Sequence, residues 1–264
     1  MLDITDVRKT FNVKTVNERV ALDGISLRLD AEDFVTVIGG NGAGKSSLLN
    51  AIAGVWPVDS GSIVIDGLDI TDMPEHKRAI VLGRVFQDPM MGTAATMQIE
   101  ENLALAARRG DSRTLRIGIT REERAAYRDQ LAQLGLGLED RMTAKVGLLS
   151  GGQRQALTLL MATLKKPKLL LLDEHTAALD PRTAARVLEL SERIIRENHL
   201  MTLMVTHNMK DAIRYGNRLI MMNEGRIILD ISGEEKKKLT IERLMEAFVK
   251  ASGESFVNDR MLLS

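Results

Sequence analysis

Apolar positions in this chain fall into two patterns, and each predicts a different kind of strand. Phe34–Ile38, Leu169–Leu172 and Met201–Val205 are short apolar or β-branched runs, as is typical of strands buried on both faces of a parallel sheet. Between Ile25 and Asp30 apolar and polar residues alternate, which predicts a half-buried antiparallel strand. Ser62–Gly67 repeats this pattern and ends in a turn signal. The chain is therefore predicted to combine a parallel core with an antiparallel β-subdomain.

A second pattern, helical in propensity and spacing, occupies the middle of the chain. It covers Ile99–Ala106 and Arg121–Leu134. The basic stretch Arg108–Arg113 between them is predicted to be a solvated loop, with contact to lipid headgroups as the alternative. Just before the first helix, the side chains of Met90, Met91 and Met97 have two interpretations. They form an adaptable apolar socket for a partner helix, or they belong to the core.

The C-terminal part returns to strands and then to helix. Leu219–Met222 and Arg226–Leu229 flank the short glycine turn Asn223–Gly225, which predicts a hairpin. The charged run Glu234–Lys238 is predicted to be a solvated helix face, and Thr240–Phe248 a final amphipathic helix. The sequence contains no internal repeat, so we expect one unit and no appended regulatory domain.

Composition excludes several classes of protein. The formal net charge of the 264 residues is zero, which argues against a protein that binds nucleic acid through a basic face. The chain has no cysteine, so it has neither disulfides nor thiolate metal sites, as fits a reducing compartment. The N-terminus is neither basic nor apolar, so no signal peptide is expected. No apolar run approaches the roughly 18 residues that a membrane span needs.

The strongest chemical motif follows the first buried strand. Gly39–Ser46 reads Gly-Gly-Asn-Gly-Ala-Gly-Lys-Ser, which matches the phosphate-binding P-loop, G-x-x-x-x-G-K-[ST]. Its glycines let backbone N–H groups approach and surround phosphate oxygens. Lys45 supplies charge for the β- and γ-phosphates, and the Ser46 hydroxyl is a hard ligand for Mg²⁺. A helical pattern follows and ends at Gly54, so the motif has the strand–loop–helix context that it requires.

Two carboxylates follow the four-leucine strand. Asp173 and Glu174 stand at its carboxyl end, where α/β sheets bind ligands. We expect Asp173 to hold Mg²⁺ through water and Glu174 to act as general base on the attacking water. His175 comes next, but no second His or Cys lies nearby in the sequence to complete a transition-metal site. A structural role for His175 is therefore favoured.

A second glycine-rich motif points to a specific family. Leu149–Gln153 reads Leu-Ser-Gly-Gly-Gln and precedes an apolar helical pattern. With this motif the chain, over about Leu2–Phe248, resembles the nucleotide-binding subunits of ABC transporters. The resemblance implies an α/β fold: a P-loop NTPase core with an antiparallel β-subdomain and an inserted α-helical subdomain. In that family the signature of one subunit closes over the γ-phosphate held by the P-loop of the other, so a homodimer enclosing ATP and Mg²⁺ is expected.

The resemblance also implies subdivisions within one nucleotide-binding domain, residues 1–264. The β-subdomain and P-loop core cover about 1–86 and 155–230, and the helical subdomain with the signature covers about 87–154. A C-terminal helical tail covers about 231–264.

Further site residues are implied by matching positions. Gln87 corresponds to the Q-loop glutamine, which reaches Mg²⁺ and the attacking water and senses the membrane partner. Asp180 lies in the D-loop, which crosses the dimer interface, and His207 corresponds to the switch histidine at the γ-phosphate. Phe11 either stacks on adenine or is an ordinary apolar residue of an N-terminal strand. His175 departs from the family, which usually has proline there, and this affects the expected local loop geometry.

These assignments define three sets of residues. The expected catalytic residues are Glu174, His207 and Gln87. The expected metal ligands are Ser46, Gln87 and Asp173. The expected nucleotide contacts are Phe11, Gly39, Gly40, Asn41, Gly42, Ala43, Gly44, Lys45, Ser46, Ser47, Ser150, Gly151, Gly152, Gln153 and Asp180.

Two stretches narrow the resemblance to a kind of transporter. Gln87–Met97 and Asp173–Asp180 resemble a subgroup of bacterial importers of amino acids, including aromatic ones. This implies a separate membrane permease, an extracytoplasmic substrate-binding protein and a place at the cytoplasmic face of the membrane. An exporter ATPase is the alternative. A non-transport mechanical ATPase is disfavoured, because the chain has one cassette, no sustained heptad repeat and no basic face.

Overall fold

The computed structural model describes residues 1–111 and 118–252. Ser112 and Arg113 of the predicted basic loop therefore lie outside the described residues. The strands are β1 (Leu2–Phe11), β2 (Arg19–Leu29), β3 (Phe34–Gly39), β4 (Ser60–Ile65), β5 (Leu68–Asp69), β6 (Leu82–Val85), β7 (Leu169–Asp173), β8 (Met201–Val205), β9 (Arg218–Asn223) and β10 (Arg226–Ser232). The α-helices are α1 (Lys45–Ala53), α2 (Glu75–Arg78), α3 (Ile99–Ala107), α4 (Arg121–Ala132), α5 (Gly151–Thr163), α6 (Pro181–Glu197), α7 (Met209–Arg214), α8 (Gly233–Lys237) and α9 (Ile241–Ser252).

The described residues divide into two compact units, one within residues 1–78 and 199–264 and the other within residues 79–198. The first unit contains an antiparallel sheet in the order β2-β1-β4-β5. Ile25, Leu27 and Leu29 of β2 are buried, so the predicted half-buried strand is confirmed. Strand β4 is likewise confirmed, and it continues into β5 through a two-residue turn.

The first unit also contains the strand that carries the P-loop. Strand β3 pairs in parallel with β8 on one side and with β9 on the other. Strand β10 pairs antiparallel with β9. The predicted hairpin is confirmed, and both residues of its turn, Glu224 and Gly225, have positive φ angles of 48° and 76°, as a type I′ turn requires. The segments that follow β3 and β8 leave the same edge of the sheet, because these strands are parallel.

The tail of the first unit corrects one prediction. Helix α8 is not simply a solvated face, because Lys236 in the middle of the charged run is buried. Its ammonium group, with three N–H donors, lies within hydrogen-bonding distance of four acceptors: the carbonyl oxygens of Tyr215, Gly216 and Arg218 and the hydroxyl of Thr36. The charge pattern gave no sign of this, since only the tertiary fold brings these acceptors to α8. The predicted final amphipathic helix is confirmed as α9.

The second unit is mainly helical around a pair of parallel strands. Strands β6 and β7 pair in register from Leu82 opposite Leu169, and helix α5 packs against both β6 and α6. The predicted helices of this segment are confirmed as α3 and α4. Met90 and Met91 are exposed, so assignment to the core is wrong for these two residues. In neither unit is any described helix both long enough and apolar enough to span a bilayer.

Candidate nucleotide-binding site

The P-loop connects β3 to α1 within the first unit. β3 ends at Gly39, and α1 begins at Lys45 after Gly44, whose φ of 103° lies in the left-handed region. The first-turn N–H groups of a helix have no acceptor within the helix, and its N-terminal dipole attracts anions. The first turn of α1 contains no acidic residue. The loop and helix end therefore fit a phosphate chain.

Lys45 is held inside the loop by the loop itself. Its side chain is 7% exposed, and Nζ donates to the carbonyl oxygens of Gly39 and Gly40 at 2.7 and 3.0 Å. Ser46, the next residue, is exposed. The ammonium group is thus fixed at the loop, and the hydroxyl is open to a ligand.

Phe11 lies at the end of β1 in the same unit. It is half-buried, and its ring meets Trp56 edge to face at 4.7 Å between centroids. In the β1–β2 pairing, Phe11 is opposite Arg19. The guanidinium of Arg19 donates to the carbonyl oxygen of Gly42 in the P-loop, with Nη2 at 2.8 Å. Sequence reasoning missed Arg19, because the register of β1 against β2 cannot be read from the pattern of residues.

His207 leaves the same sheet edge as the P-loop. It follows β8 and is exposed. The N–H of the preceding Thr206 donates to the carbonyl of Val37 on β3 at 3.1 Å. The following Asn208 caps α7 by accepting from the N–H groups of Lys210 and Asp211. Both flanks of His207 are therefore fixed, and its side chain faces solvent beside the strand that carries the P-loop.

The two carboxylates lie in the second unit, at the end of β7. Asp173 is the last residue of that strand, and its Oδ2 is 3.2 Å from Nη2 of Arg84 on β6. Glu174 has φ of 42°, an uncommon and strained conformation for a residue with a side chain. The N–H of Ala177 donates to its carbonyl oxygen at 2.9 Å and closes a turn. Sequence reasoning missed Arg84, whose only signal is a charge within a short apolar strand.

His175 has the structural role that the sequence favours. It is 2% exposed, and Nε2 is 3.0 Å from the hydroxyl oxygen of Ser191 on α6. That hydroxyl donates to the carbonyl oxygen of Val187 at 2.8 Å, so Nε2 of His175 is the donor in the first contact. Burial lowers the pKa of His175 to about 4, so the ring is neutral at pH 7. It anchors the loop after Glu174 to α6.

The signature motif forms the start of α5. Ser150 is the N-cap: its hydroxyl accepts from the N–H of Gln153 at 3.3 Å, while Gln153 Oε1 accepts from the N–H of Ser150 at 3.2 Å. This reciprocal arrangement is a capping box. Gly151 and Gly152 occupy the first turn, where N–H groups have no helical acceptor. The motif therefore presents backbone donors at a helix N-terminus, which is chemistry suited to phosphate.

The remaining predicted positions of the second unit are at the ends of elements. Gln87 is exposed shortly after β6, and the preceding Phe86 carbonyl accepts from Nε2 of the buried Gln155 at 3.2 Å. Asp180 is the N-cap of α6 and accepts from the N–H of Thr183 at 3.1 Å. Hydrogen bonds from Thr183 lower the pKa of Asp180. Asp180 is thus ionised and has a local capping function.

Among the described residues, no three His, Cys, Asp or Glu side chains converge on a possible metal position. Magnesium commonly uses one or two protein oxygens, with phosphate oxygens and water completing its shell. The oxygen donors of Ser46, Asp173 and Gln87 are of the type that Mg²⁺ prefers. Each unit therefore supplies oxygen donors suited to Mg²⁺: Ser46 in the first unit, Asp173 and Gln87 in the second.

Comparison with known proteins identifies the family. A family model described as ABC transporter matches residues 22–177. The chain belongs to the ABC transporter family. It is 44% identical over 248 residues to a tyrosine transport ATP-binding protein of Clostridioides difficile, covering 94% of this chain and 98% of that protein. It is 36% identical to a methionine import ATP-binding protein of Rhizobium johnstonii, covering 85% of this chain and 59% of the relative.

Solved structures give the same answer for the fold. A dimeric ATP-binding cassette in a post-hydrolysis state with ADP and phosphate has a TM-score of 0.75 and 26% identity, covering 88% of this chain and 98% of that one. A nucleotide-free cassette of an ABC transporter also has a TM-score of 0.75 and 26% identity, covering 94% of this chain and 98% of that one. The predicted fold, an ABC ATPase with a parallel core and an antiparallel sheet, is confirmed.

These findings also confirm the predicted activity. The chain is the ATP-binding subunit, and the ATPase, of an importer-type ABC transporter of small solutes. In this family two ATPase subunits typically act as a dimer with membrane permease partners.

Proposed function

We propose that this ATPase energises the import of an aromatic amino acid such as tyrosine through a separate membrane permease. The observation that carries the proposal is the 44% identity to a tyrosine transport ATP-binding protein along 98% of that protein's length. The phosphate-binding groups described above support the ATP-dependent half of the proposal. A periplasmic-type binding protein would deliver the amino acid, and the ATPase would lie at the cytoplasmic face through its contact with the permease.

The P-loop residues bind and orient the triphosphate in this proposal. Lys45 exchanges its contacts with the Gly39 and Gly40 carbonyls for the β- and γ-phosphates, and α1 contributes its N-terminal N–H groups. The Ser46 hydroxyl, Asp173 and Gln87 hold Mg²⁺, which when bound neutralises charge on the phosphates. Phe11 stacks on the adenine. The remaining P-loop contacts are made by Asn41, Gly42, Ala43, Gly44 and Ser47.

The hydrolytic step depends on residues at strand ends. Glu174 accepts a proton from the attacking water, and the turn closed by the Ala177 N–H holds its backbone at φ of 42°. His207 donates to the γ-phosphate from the end of β8. Gln87 orients the water and reports the state of the permease. Each role rests on the residue type and its place at the end of a strand or in a loop.

The signature completes the site in a second copy of the chain. Ser150 and the N–H groups of Gly151 and Gly152 donate to the γ-phosphate bound by the partner copy, because they are first-turn donors at a helix N-terminus. Gln153 holds the signature in shape through the capping box, and Asp180 shapes the start of α6 at the interface. Two ATP molecules are therefore enclosed by two copies.

The proposal is tested by uptake of labelled tyrosine into cells of the native host that lack this chain. We expect wild-type protein to restore uptake, Lys45→Ala to abolish it, and Lys250→Ala, an exposed lysine on α9, to restore it fully. Unlabelled phenylalanine and tryptophan should compete, whereas methionine and thiamine should not. Restoration of methionine or thiamine uptake instead of tyrosine uptake would contradict the assigned substrate.

Partners are tested separately by mild extraction of the tagged chain from native membranes and mass spectrometry. A polytopic membrane protein together with an extracytoplasmic binding protein is the expected result. A membrane partner recovered without a binding protein would instead favour an exporter. Recovery with soluble proteins alone would contradict a transport role.

A further inference from the structure

Arg19 lies opposite Phe11 in the sheet and contacts the P-loop at Gly42, although no motif contains it. It is the first residue of β2 and the cross-strand partner of Phe11 on β1. Its Nη2 lies 2.8 Å from the carbonyl oxygen of Gly42. One side chain therefore extends from the strand pair that carries the proposed adenine platform to the loop that cradles phosphate.

The guanidinium of Arg19 lies directly beside Gly42, where a larger residue would place its side chain. A Cβ at Gly42 would lie 2.4 Å from Arg19 Nη2, which is closer than real Cβ contacts occur. The φ of Gly42 is also +83°, a conformation that L-residues with side chains rarely adopt. A substitution at Gly42 would therefore strain the loop and displace the guanidinium of Arg19.

Most of the guanidinium donors remain available to a ligand. An arginine has five N–H donors in a planar fork, and the Gly42 carbonyl accepts one of them. The Arg19 side chain is exposed, and no described carboxylate forms an ion pair with it. A fork of this kind binds phosphate oxygens and hydroxyl groups more strongly than a neutral donor does.

The position of Arg19 limits which part of a nucleotide it can reach. If the base stacks at Phe11 and the β- and γ-phosphates lie at Lys45, the ribose and α-phosphate must lie between them. Arg19 also spans Phe11 and the P-loop. We propose that Arg19 is a nucleotide-binding residue that fixes the P-loop at Gly42 and donates to the ribose and α-phosphate. This inference rests on the proposed ATP site.

The test compares three ligands by isothermal titration calorimetry on the full chain with Mg²⁺. ATP and ADP contain a ribose and an α-phosphate ester, whereas inorganic pyrophosphate has only two phosphates, enough for the β- and γ-positions at Lys45. We expect Arg19→Ala and Arg19→Gln to weaken the binding of ATP and ADP about tenfold, as loss of a charged hydrogen bond predicts. Pyrophosphate binding should change by less than about twofold, since its contacts at Lys45 remain.

Arg28→Ala is the matched control, because Arg28 is an exposed arginine near the other end of β2 and pairs with Asp30. It should leave all three affinities at the wild-type value. The thermal midpoint without nucleotide should be the same in all variants, which separates a ligand contact from a folding defect.

Two results would overturn the inference. Wild-type affinity of Arg19→Ala for ATP and ADP would show that the guanidinium makes no contact with nucleotide. Equal weakening of pyrophosphate and ATP binding would show that it acts only on the shape of the loop. Failure of the wild-type chain to bind ATP is a different result, and it would instead contradict the nucleotide site itself.

Discussion

Gly152 meets two separate requirements at a single Cα. As part of the signature it presents an N–H group at the start of α5, and it is also a packing position against α6. A Cβ at this residue would lie 2.2 Å from Cγ2 of Thr183. The glycine therefore allows the close approach of two helices in addition to its proposed phosphate contact.

Mutation can separate the packing requirement at Gly152 from its proposed contact with phosphate. Gly152→Ala should lower the free energy of unfolding by about 1–3 kcal/mol, as overpacking does, when measured by urea denaturation. Adding Thr183→Ser removes Cγ2 and should recover most of this loss. Gly151→Ala is the control, because a Cβ there meets only the flexible Leu179 side chain at 3.1 Å. Equal stability of Gly152→Ala and wild type would contradict the packing role.

ATP hydrolysis by the double variant, Gly152→Ala with Thr183→Ser, tests the second requirement, which is the place of Gly152 beside the partner's nucleotide. If Gly152 also contacts phosphate through its N–H, hydrolysis should recover along with stability, because an alanine retains that N–H. A stable double variant that stays inactive would show that Cβ itself blocks the partner's nucleotide.

Lys236 is the buried charge of the C-terminal tail. Burial lowers its pKa to about 8 from the ordinary value of 10.5. Between these two pH values the unfolded chain keeps the proton while the folded chain has released it. The contribution of Lys236 to the free energy of unfolding therefore rises with pH between about 8 and 10.5 and is constant below pH 8.

We expect Lys236→Met to lose about 1–3 kcal/mol of unfolding free energy at pH 7, because buried carbonyls lose their donor. The difference between wild type and variant should increase from pH 8 to pH 10. Urea denaturation over this range measures it, with Lys238→Met as the exposed control on the same segment. If the free energies of unfolding of wild type and Lys236→Met changed with pH in parallel, this would be inconsistent with a depressed lysine pKa.

At the scale of elements, the final helix α9 supports the strand that leads into the P-loop. Leu244 of α9 is fully buried in a cluster with Ile38, Ala212, Leu219 and Met221. Ile38 immediately precedes Gly39, the first residue of the phosphate loop. Helix α9 therefore completes the packing beneath the nucleotide site. The two are far apart in the sequence, and only the fold brings them together.

Shortening the side chain of Leu244 should destabilise the first unit. Leu244→Ala should cost about 2–5 kcal/mol, the usual effect of removing a large side chain from a core. Val249→Ala, on the same helix and 42% exposed, should change stability by less than about 0.5 kcal/mol. Thermal and urea denaturation of both variants give the comparison, and similar losses for the two would refute the supporting role of α9.

At the scale of the whole molecule, the proposal requires two copies to close around ATP. Glu174→Gln removes the proposed base but retains the shape of the side chain and the P-loop. We expect this variant to accumulate as a stable dimer with Mg-ATP, with hydrolysis reduced at least about a hundredfold, as loss of a general base predicts. Gel filtration with light scattering measures the mass.

Two comparisons make the dimer experiment decisive. Glu174→Gln with ADP should remain monomeric, because the γ-phosphate that joins the copies is missing. Glu189→Gln, which changes a glutamate on α6 in the same way, should hydrolyse ATP like wild type. A monomeric Glu174→Gln protein at saturating Mg-ATP would contradict the proposed ATP-enclosing dimer.

The elements near the site were predictable because their signals are local. Leu169–Leu172 predicted a buried strand and the structure has β7 there; the P-loop predicted a helix after Gly44 and α1 begins at Lys45. Short apolar runs and glycine-containing turns leave few other conformations. The assignments of Glu174, His207, Gln87 and the other site residues to chemical roles remain predictions.

What the sequence could not provide is the set of contacts between distant segments. The exposed state of Met90 and Met91, the burial of Lys236 and the pairing of His175 with Ser191 all depend on residues many positions away. Arg84 beside Asp173 and Arg19 beside Gly42 have the same origin. A side chain's own chemistry does not reveal which acceptors the tertiary fold will place next to it.

The sequence by itself therefore determined the family, the fold class and the positions of the phosphate-binding motifs, because glycine spacing and strand patterning act over a few residues. The tertiary structure alone decided strand register, the burial of charged groups and the contacts that motif residues make with distant parts of the chain. These depend on packing between segments far apart in the chain, where the energy of a hydrogen bond or a buried charge is set by neighbours that no local pattern specifies.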